Sequence, residues 1–355
     1  MSEVVRIRAS GIDSLYASVR GQLADELLVT LAALRSDNPG ADVPVALQGV
    51  TPDFLLRRYG WRGYPLWLSS PRFEVCLGGS DPFPPVYLQL HAEHIHSLGI
   101  DAAVGDAESF LVGVLFPRGC HVVASRVDVF VDEQGWTPRR EDSTRFRCLA
   151  RRRRMFEVSR QEHGYGRRLS GFTFGKGDLV ARIYDKSLEM AVVGATWPEL
   201  LWKGRDSAQA VWRVEYQFRR PALAAMGLTG MRDVVRHRQA LWDYGCRWLS
   251  LRSRISDTNL ARWPVAPVWT QLASACIGGS GVALIRERVH QADVLRLTQG
   301  LVGYATSLEA ADGARGLGPA IRSTVPSVDP YLAQRGVAFG QLVMEKRSRR
   351  LGADG

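Results

Sequence analysis

The stretch Arg126-Val127-Asp128-Val129-Phe130-Val131-Asp132 decides how the rest of the chain is read. Successive side chains of a strand point to opposite faces, so Arg126, Asp128 and Asp132 share one face while Val127, Val129 and Val131 share the other. The valine face has to be covered. Downstream, VARIYDK (180–186) places Arg182, Tyr184 and Lys186 with Val180, opposite Ala181 and Ile183. WRVEYQFR (212–219) sets Trp212, Val214, Tyr216 and Phe218 against Arg213, Glu215, Gln217 and Arg219. Three strands of one design predict an α+β fold. It has a large antiparallel sheet with helices on its apolar face, an open charged face, and a helical C-terminal region after it.

Outward from these strands, the alternation in 4–19 reads as strand, and Leu23, Leu27, Leu28, Leu31 and Leu34 follow at helical spacing, ending near Asn38-Pro39-Gly40. Three strand-like runs between 64 and 90 predict a meander. A helix is expected from Asp106 into the decisive strand. Strands at 169–174 and 179–185 flank the turn Gly175-Lys176-Gly177-Asp178. From Pro221 helical patterns dominate, with Pro264, Pro267, Pro319 and Pro326 read as breaks. The expected domains are a sheet-bearing unit over 1–220 and a mainly helical region over 221–355.

The chain has 355 residues, is 46% hydrophobic and carries a formal net charge of +10, a composition that builds a real core and favours anionic partners. Between 139 and 168 there are eleven arginines against four acidic residues, including the run Arg151, Arg152, Arg153 and Arg154, which suits DNA backbone. The five cysteines show no C-x-x-C spacing, which argues against a zinc ribbon or a disulfide scaffold. Neither a secretory leader nor a membrane span is expected, and the protein is read as cytoplasmic.

The charged face would gather Asp128, Tyr184, Lys186 and Glu215. Two carboxylates on neighbouring strands suit one hard cation, Mg²⁺ or Mn²⁺, with open positions left for phosphate oxygens and water. A tyrosine phenol, pKa about 10 in water, reacts as phenolate and needs a neighbouring cation such as Lys186. Arg126, Arg182 and Arg213 cannot ligate a metal and would serve DNA phosphate instead.

At these residues the sequence resembles the replication initiation factor family, the Rep_trans type, which includes rolling-circle plasmid and phage initiators and relaxases of integrative elements. The matching pieces are Arg126 to Asp132, Gly171-Phe-Thr-Phe-Gly175 through Arg182-Ile-Tyr184-Asp-Lys186, and Trp212 to Arg220, with Gly11-Ile-Asp13 as weaker support. The likeness spans roughly 10–225. It implies a site-specific DNA endonuclease and strand transferase (a nickase), making a 5′-phosphotyrosine and leaving a free 3′-OH. Tyr184 would be the nucleophile, Lys186 its neighbouring cation, and Asp128 and Glu215 the metal ligands. The implied partners are a DNA origin or transfer site, a host helicase and polymerase, and a second copy in a homodimer.

Two other readings stand beside it. His94 and His96, as an H-hydrophobe-H pair on one strand face, would carry the metal of an HUH-type endonuclease. Alternatively, the face around Arg126, Arg182 and Arg213 tracks phosphates in a non-catalytic DNA-binding protein of a mobile element, a role that needs no Asp128 or Glu215.

Overall fold

The computed structural model describes residues 4–49, 53–80, 83–149, 153–159, 167–284, 286, 294–313 and 316–344. A long strand, β1 (Arg6–Gly21), leads into α1 (Asp25–Asp37) and then into β2 (Val43–Val45), β3 (Phe54–Leu56), β4 (Leu66–Ser69), β5 (Phe73–Leu77) and β6 (Val86–Leu90). Helices α2 (Ala92–Leu98) and α3 (Ile100–Phe110) precede a second long strand, β7 (Cys120–Gln134). Next come β8 (Phe146–Cys148), β9 (Arg153–Ser159), β10 (Arg167–Phe174) and β11 (Leu179–Asp185), then α4 (Lys186–Val193) and β12 (Trp212–Arg219). Helices α5 (Arg220–Ala225), α6 (Met231–Arg236) and α7 (Arg238–Trp248), strand β13 (Leu249–Leu251) and α8 (Pro267–Ala273) follow.

Among the described residues eleven strands form one antiparallel sheet in the order β2-β3-β4-β5-β6-β1-β7-β12-β11-β10-β9, and β13 pairs with β8 in a separate ribbon. The predicted fold class holds, and register explains why. Val127, Val129 and Val131 of β7 stand opposite Phe218, Tyr216 and Val214 of β12, so the apolar halves of both strands make one continuous surface. Helix α7 covers it, with Trp242 edge-on to Tyr216 at 5.3 Å between ring centroids. A Cβ on Gly245 would come within 2.5 Å of the Tyr216 ring, so the helix lies this close because residue 245 has no side chain.

On the other face the same register sets Arg213 opposite Asp132 and Gln217 opposite Asp128 from β12 to β7, and Tyr184 opposite Arg213 and Arg182 opposite Glu215 from β11 to β12. This face is less open than predicted. Asp128, Asp132, Arg213 and Glu215 are all at most 2% exposed. The chain between α4 and β12 lies over one end of it: Met190, Trp202 and Val211 form a small second core, and Trp202 Nε1 donates to Asp132 Oδ2 at 2.8 Å.

Three local expectations are corrected. Lys186 is not on the strand but opens α4, because Asp185 ends β11 as an N-cap whose side chain accepts from the Leu188 amide at 2.9 Å. His94 and His96 lie on α2, not on a strand; residues two apart on a helix point to different sides, so they do not form one ligand pair. Pro319 and Pro326 do not break the chain but lie within a helix.

The chain divides into two compact units, Met1–Arg286 and Glu287–Gly355. The sheet-bearing unit thus runs past residue 220, since α5 to α8 supply apolar partners such as Leu223, Trp242 and Trp269 to the sheet's own core. The second unit contains a helix pair, α9 (Val294–Asp312) and α10 (Leu317–Gln334). Among the described residues no helix is long and apolar enough to cross a membrane.

Candidate active site

Glu215 stands at the middle of the polar face. Tyr184 Oη donates to its Oε2 at 3.1 Å, while Arg182 Nη2 lies 2.7 Å from its Oε1 as an ion pair without the alignment of a hydrogen bond. Burial, with help from Asp128 and Asp13 and against the pull of Arg182, pushes its carboxyl up to about 7. Tyr184 is held well above the ordinary phenol value, first by burial and then by Glu215. In this state it is a neutral phenol hydrogen-bonded to a carboxyl that is partly ionised near neutrality.

Asp128 is gripped by Arg126, whose Nε donates to Oδ1 at 2.8 Å, and burial pushes its carboxyl upward against that pull. Arg182 also lies 3.9 Å from Asp128, so one guanidinium stands between the two carboxylates. Its side chain is 40% exposed, the most open of the predicted phosphate-binding arginines whose side chains are described.

Arg213 belongs to a different network. It donates to Asp132 through Nε at 2.6 Å and Nη2 at 2.8 Å, pairs with Asp13 through Nη1, and lies over the Phe130 ring. With its side chain 1% exposed it is buried scaffolding, not a phosphate hook as the sequence suggested. Asp13 reaches it because the β1–β7 register shifts between Ile12 and Ser14, an irregularity that re-aims one side chain onto the polar face. Alternation along Gly11-Ile-Asp13 does not assign Asp13 to this face, since the bulge breaks the period.

Lys186, although on α4, still reaches the site. Its Nζ lies 5.7 Å from the Tyr184 ring centroid, pairs with Glu189, and adds to Arg213 in pulling the Asp13 carboxyl down against the effect of burial. A cavity of about 400 Å³ opens beside Tyr184, lined by Gly171, Thr173, Arg182, Leu188 and Val192 among others. Gly171 sits directly opposite Tyr184, and a Cβ there would meet the Ile183 carbonyl at 2.4 Å and Tyr184 Cβ at 3.0 Å. Arg151 and Arg152 lie outside the described residues; Arg153 and Arg154 begin β9, their backbones paired with Phe174 and Thr173.

Arg126 donates to both oxygens of Asp128 and Arg182 stands at Glu215 Oε1, so a cation at these carboxylates would have to displace a guanidinium. Asp128 and Glu215 offer carboxylate oxygens, Glu215 Oε1 is buried and takes no hydrogen bond, and both groups are pushed toward neutrality, partly by neighbouring negative charge. Among the described residues no three His, Cys, Asp or Glu side chains gather as a metal-holding group, so a cation here would complete its shell from phosphate and water. His94 and His96 do not come together as a ligand pair. His94 Nε2 lies 3.0 Å from Asp106, whereas His96 stacks on Trp197 at 5.8 Å and meets Phe130 edge-on.

No family model matches the sequence, and no curated protein does. Among solved structures the chain is similar to a rolling circle replication initiator protein from Geobacillus stearothermophilus. The TM-score is 0.47 at 18% identity, over 76% of this chain and 96% of that one.

Proposed function

We propose that this chain is a DNA nickase of the replication-initiator or relaxase kind, cutting one strand with Tyr184. The observation that carries this reading is the Tyr184 Oη to Glu215 Oε2 hydrogen bond, at 3.1 Å, on a face with Arg182 and Lys186 at its side. Tyr184 Oη attacks the scissile phosphorus as its proton passes to Glu215. The P–O3′ bond breaks, the departing 3′ oxygen takes a proton from water, and the 5′ phosphate stays on the tyrosine. Arg182 turns from the carboxylates to the phosphate oxygens, and Lys186 holds the developing negative charge. Asp128 and Glu215 Oε1 would hold Mg²⁺ or Mn²⁺. A cation so placed supplies Lewis-acid stabilisation of the phosphoryl oxygens. The cavity beside Tyr184 gives the flanking nucleotide a place to lie.

The phosphotyrosine keeps the energy of the broken bond for rejoining, and the free 3′-OH is a primer for a host polymerase behind a helicase. A homodimer is part of the same proposal. Incubating the protein with a supercoiled circle carrying its own gene neighbourhood and Mg²⁺ or Mn²⁺ tests it. Nicked circles are expected, lost with EDTA and with Tyr184→Phe. Binding to that circle with no nicking under any cation would favour a non-catalytic DNA-binding protein.

A further inference from the structure

A second cavity, of about 550 Å³, lies on the helix-covered side of the sheet, away from Tyr184. Its floor is the β8–β13 ribbon. Arg147 stands directly opposite Ser250 across that ribbon, so the two share a face, and Arg252 follows two residues on from Ser250 with the same orientation. The other face, with Phe146, Leu249 and Leu251, is buried in the core. Helix α7 brings Arg247 and Asp243 to the rim, and α8 closes the far wall.

The polar groups in this cavity are short of acceptors. Ser250 is 4% exposed, and its Oγ has no hydrogen-bond partner. Arg252 Nε is buried and equally unpartnered, although Nη1 of the same side chain donates to the Trp263 carbonyl at 3.1 Å. Among the described residues none of Arg147, Arg247 and Arg252 has an ion-pair partner, whereas most arginines of the polar face are paired. Burial and the neighbouring Arg147 push the Arg252 guanidinium below its ordinary value, so the two positive groups strain against each other. Asp243 is the one acid on the lining, and its Oδ1 already accepts from Gln239 Nε2 at 3.0 Å. Unpaired buried donors beside uncompensated guanidiniums ask for an anion with several acceptor oxygens and a geometry that fits the arginine fork.

We propose that this cavity binds a phosphate group, held by Arg147 and Arg252 with Ser250 Oγ as a third donor and Arg247 at the mouth. The phosphate is supplied either by a DNA backbone or by a small phosphate ligand. The site is separate from the nicking face: α7 packs on Tyr216, on the opposite side of the sheet from Glu215 and Tyr184. The proposal therefore stands whether or not Tyr184 cuts DNA.

The test is a melting series of the full chain in sodium phosphate against sodium chloride at matched ionic strength, with a duplex-binding arm. Phosphate should raise the midpoint by several degrees at saturation. That rise should persist in Arg182→Gln, which removes a phosphate hook at the nicking face, and shrink in Arg147→Gln and Arg252→Gln. Ser250→Ala separates binding from folding, since it deletes only an unpaired hydroxyl. It should melt no lower than wild type in chloride and yet lose much of the phosphate increment, and it carries the test if the arginine variants do not fold. For the source, the slope of log affinity against log salt is measured on a duplex without a nick site. A fall of about one unit per arginine removed assigns the phosphate to DNA backbone. An unchanged slope with a lost phosphate increment assigns it to a small ligand. No phosphate increment in wild type, or an increment equal in wild type and in Ser250→Ala, would overturn the proposal.

Discussion

At Glu215 a single buried residue would join stability to the proposed chemistry. A carboxyl raised by burial to about 7 is neutral at little cost below that value and must ionise in the interior above it. Its folded value exceeds its unfolded one, so its contribution to stability is full at low pH and is lost as pH rises from the unfolded value through about 7. In metal-free protein the melting midpoint should therefore fall between about pH 4.5 and about pH 7. Glu215→Gln should flatten that fall and slow nicking by about 10²-fold or more, as expected when a positioned proton acceptor is lost. A Gln variant with the wild-type pH dependence of melting would remove Glu215 from this role. Arg213 has the opposite character, since its charge is matched on both sides by Asp132 and Asp13. Arg213→Ala leaves Asp132 buried without a counter-charge and should cost about 3–5 kcal/mol in urea unfolding. A loss below about 1 kcal/mol, the size of an exposed pair, would place Arg213 outside the core network.

The sheet shows which elements can be read from the chain alone. β7, β11 and β12 were legible because each buries one face, and a period of two then states both the strand and the side each residue takes. The same period misled at His94-Ile95-His96, where a two-residue alternation is too short to separate strand from helix, and at Lys186, where the Asp185 cap overrides it. Most of the candidate site was therefore visible, including Tyr184, Glu215 and Asp128, because register carries alternation from strand to strand. Burial was not visible: nothing local in Arg213 distinguishes it from Arg182, yet Arg213 is enclosed with Asp13, Asp132 and Phe130 while Arg182 is left 40% exposed. Asp13 needed the β1 irregularity, and Gly171 needed its partner strand. Gly171→Ala tests this element-level account, since the added carbon meets the Ile183 carbonyl at 2.4 Å. The β10–β11 pairing should give way, costing about 1–3 kcal/mol and most of the nicking activity, with amide exchange fastest in those two strands. Full activity in that variant would show that Tyr184 does not depend on the close approach of β10.

At the scale of the whole chain, the net charge of +10 is spread over separate places with different tasks. Arg213 is spent inside the sheet, Arg126 and Arg182 stand over carboxylates on one face, and Arg147, Arg247 and Arg252 gather beyond the helices on the other. An anionic partner that meets both faces would be bound by the molecule as a body, while the proposed chemistry is confined to one tyrosine. That confinement is the central claim, and mapping the covalent link tests it most directly. The protein is reacted with single-stranded DNA spanning its own nick site, and the adduct is digested with nuclease and protease and sequenced by mass spectrometry. A nucleotide 5′-phosphate is expected on Tyr184, with none on any other tyrosine. A nucleotide on another residue, or nicked DNA with no covalent adduct at any step, would contradict it.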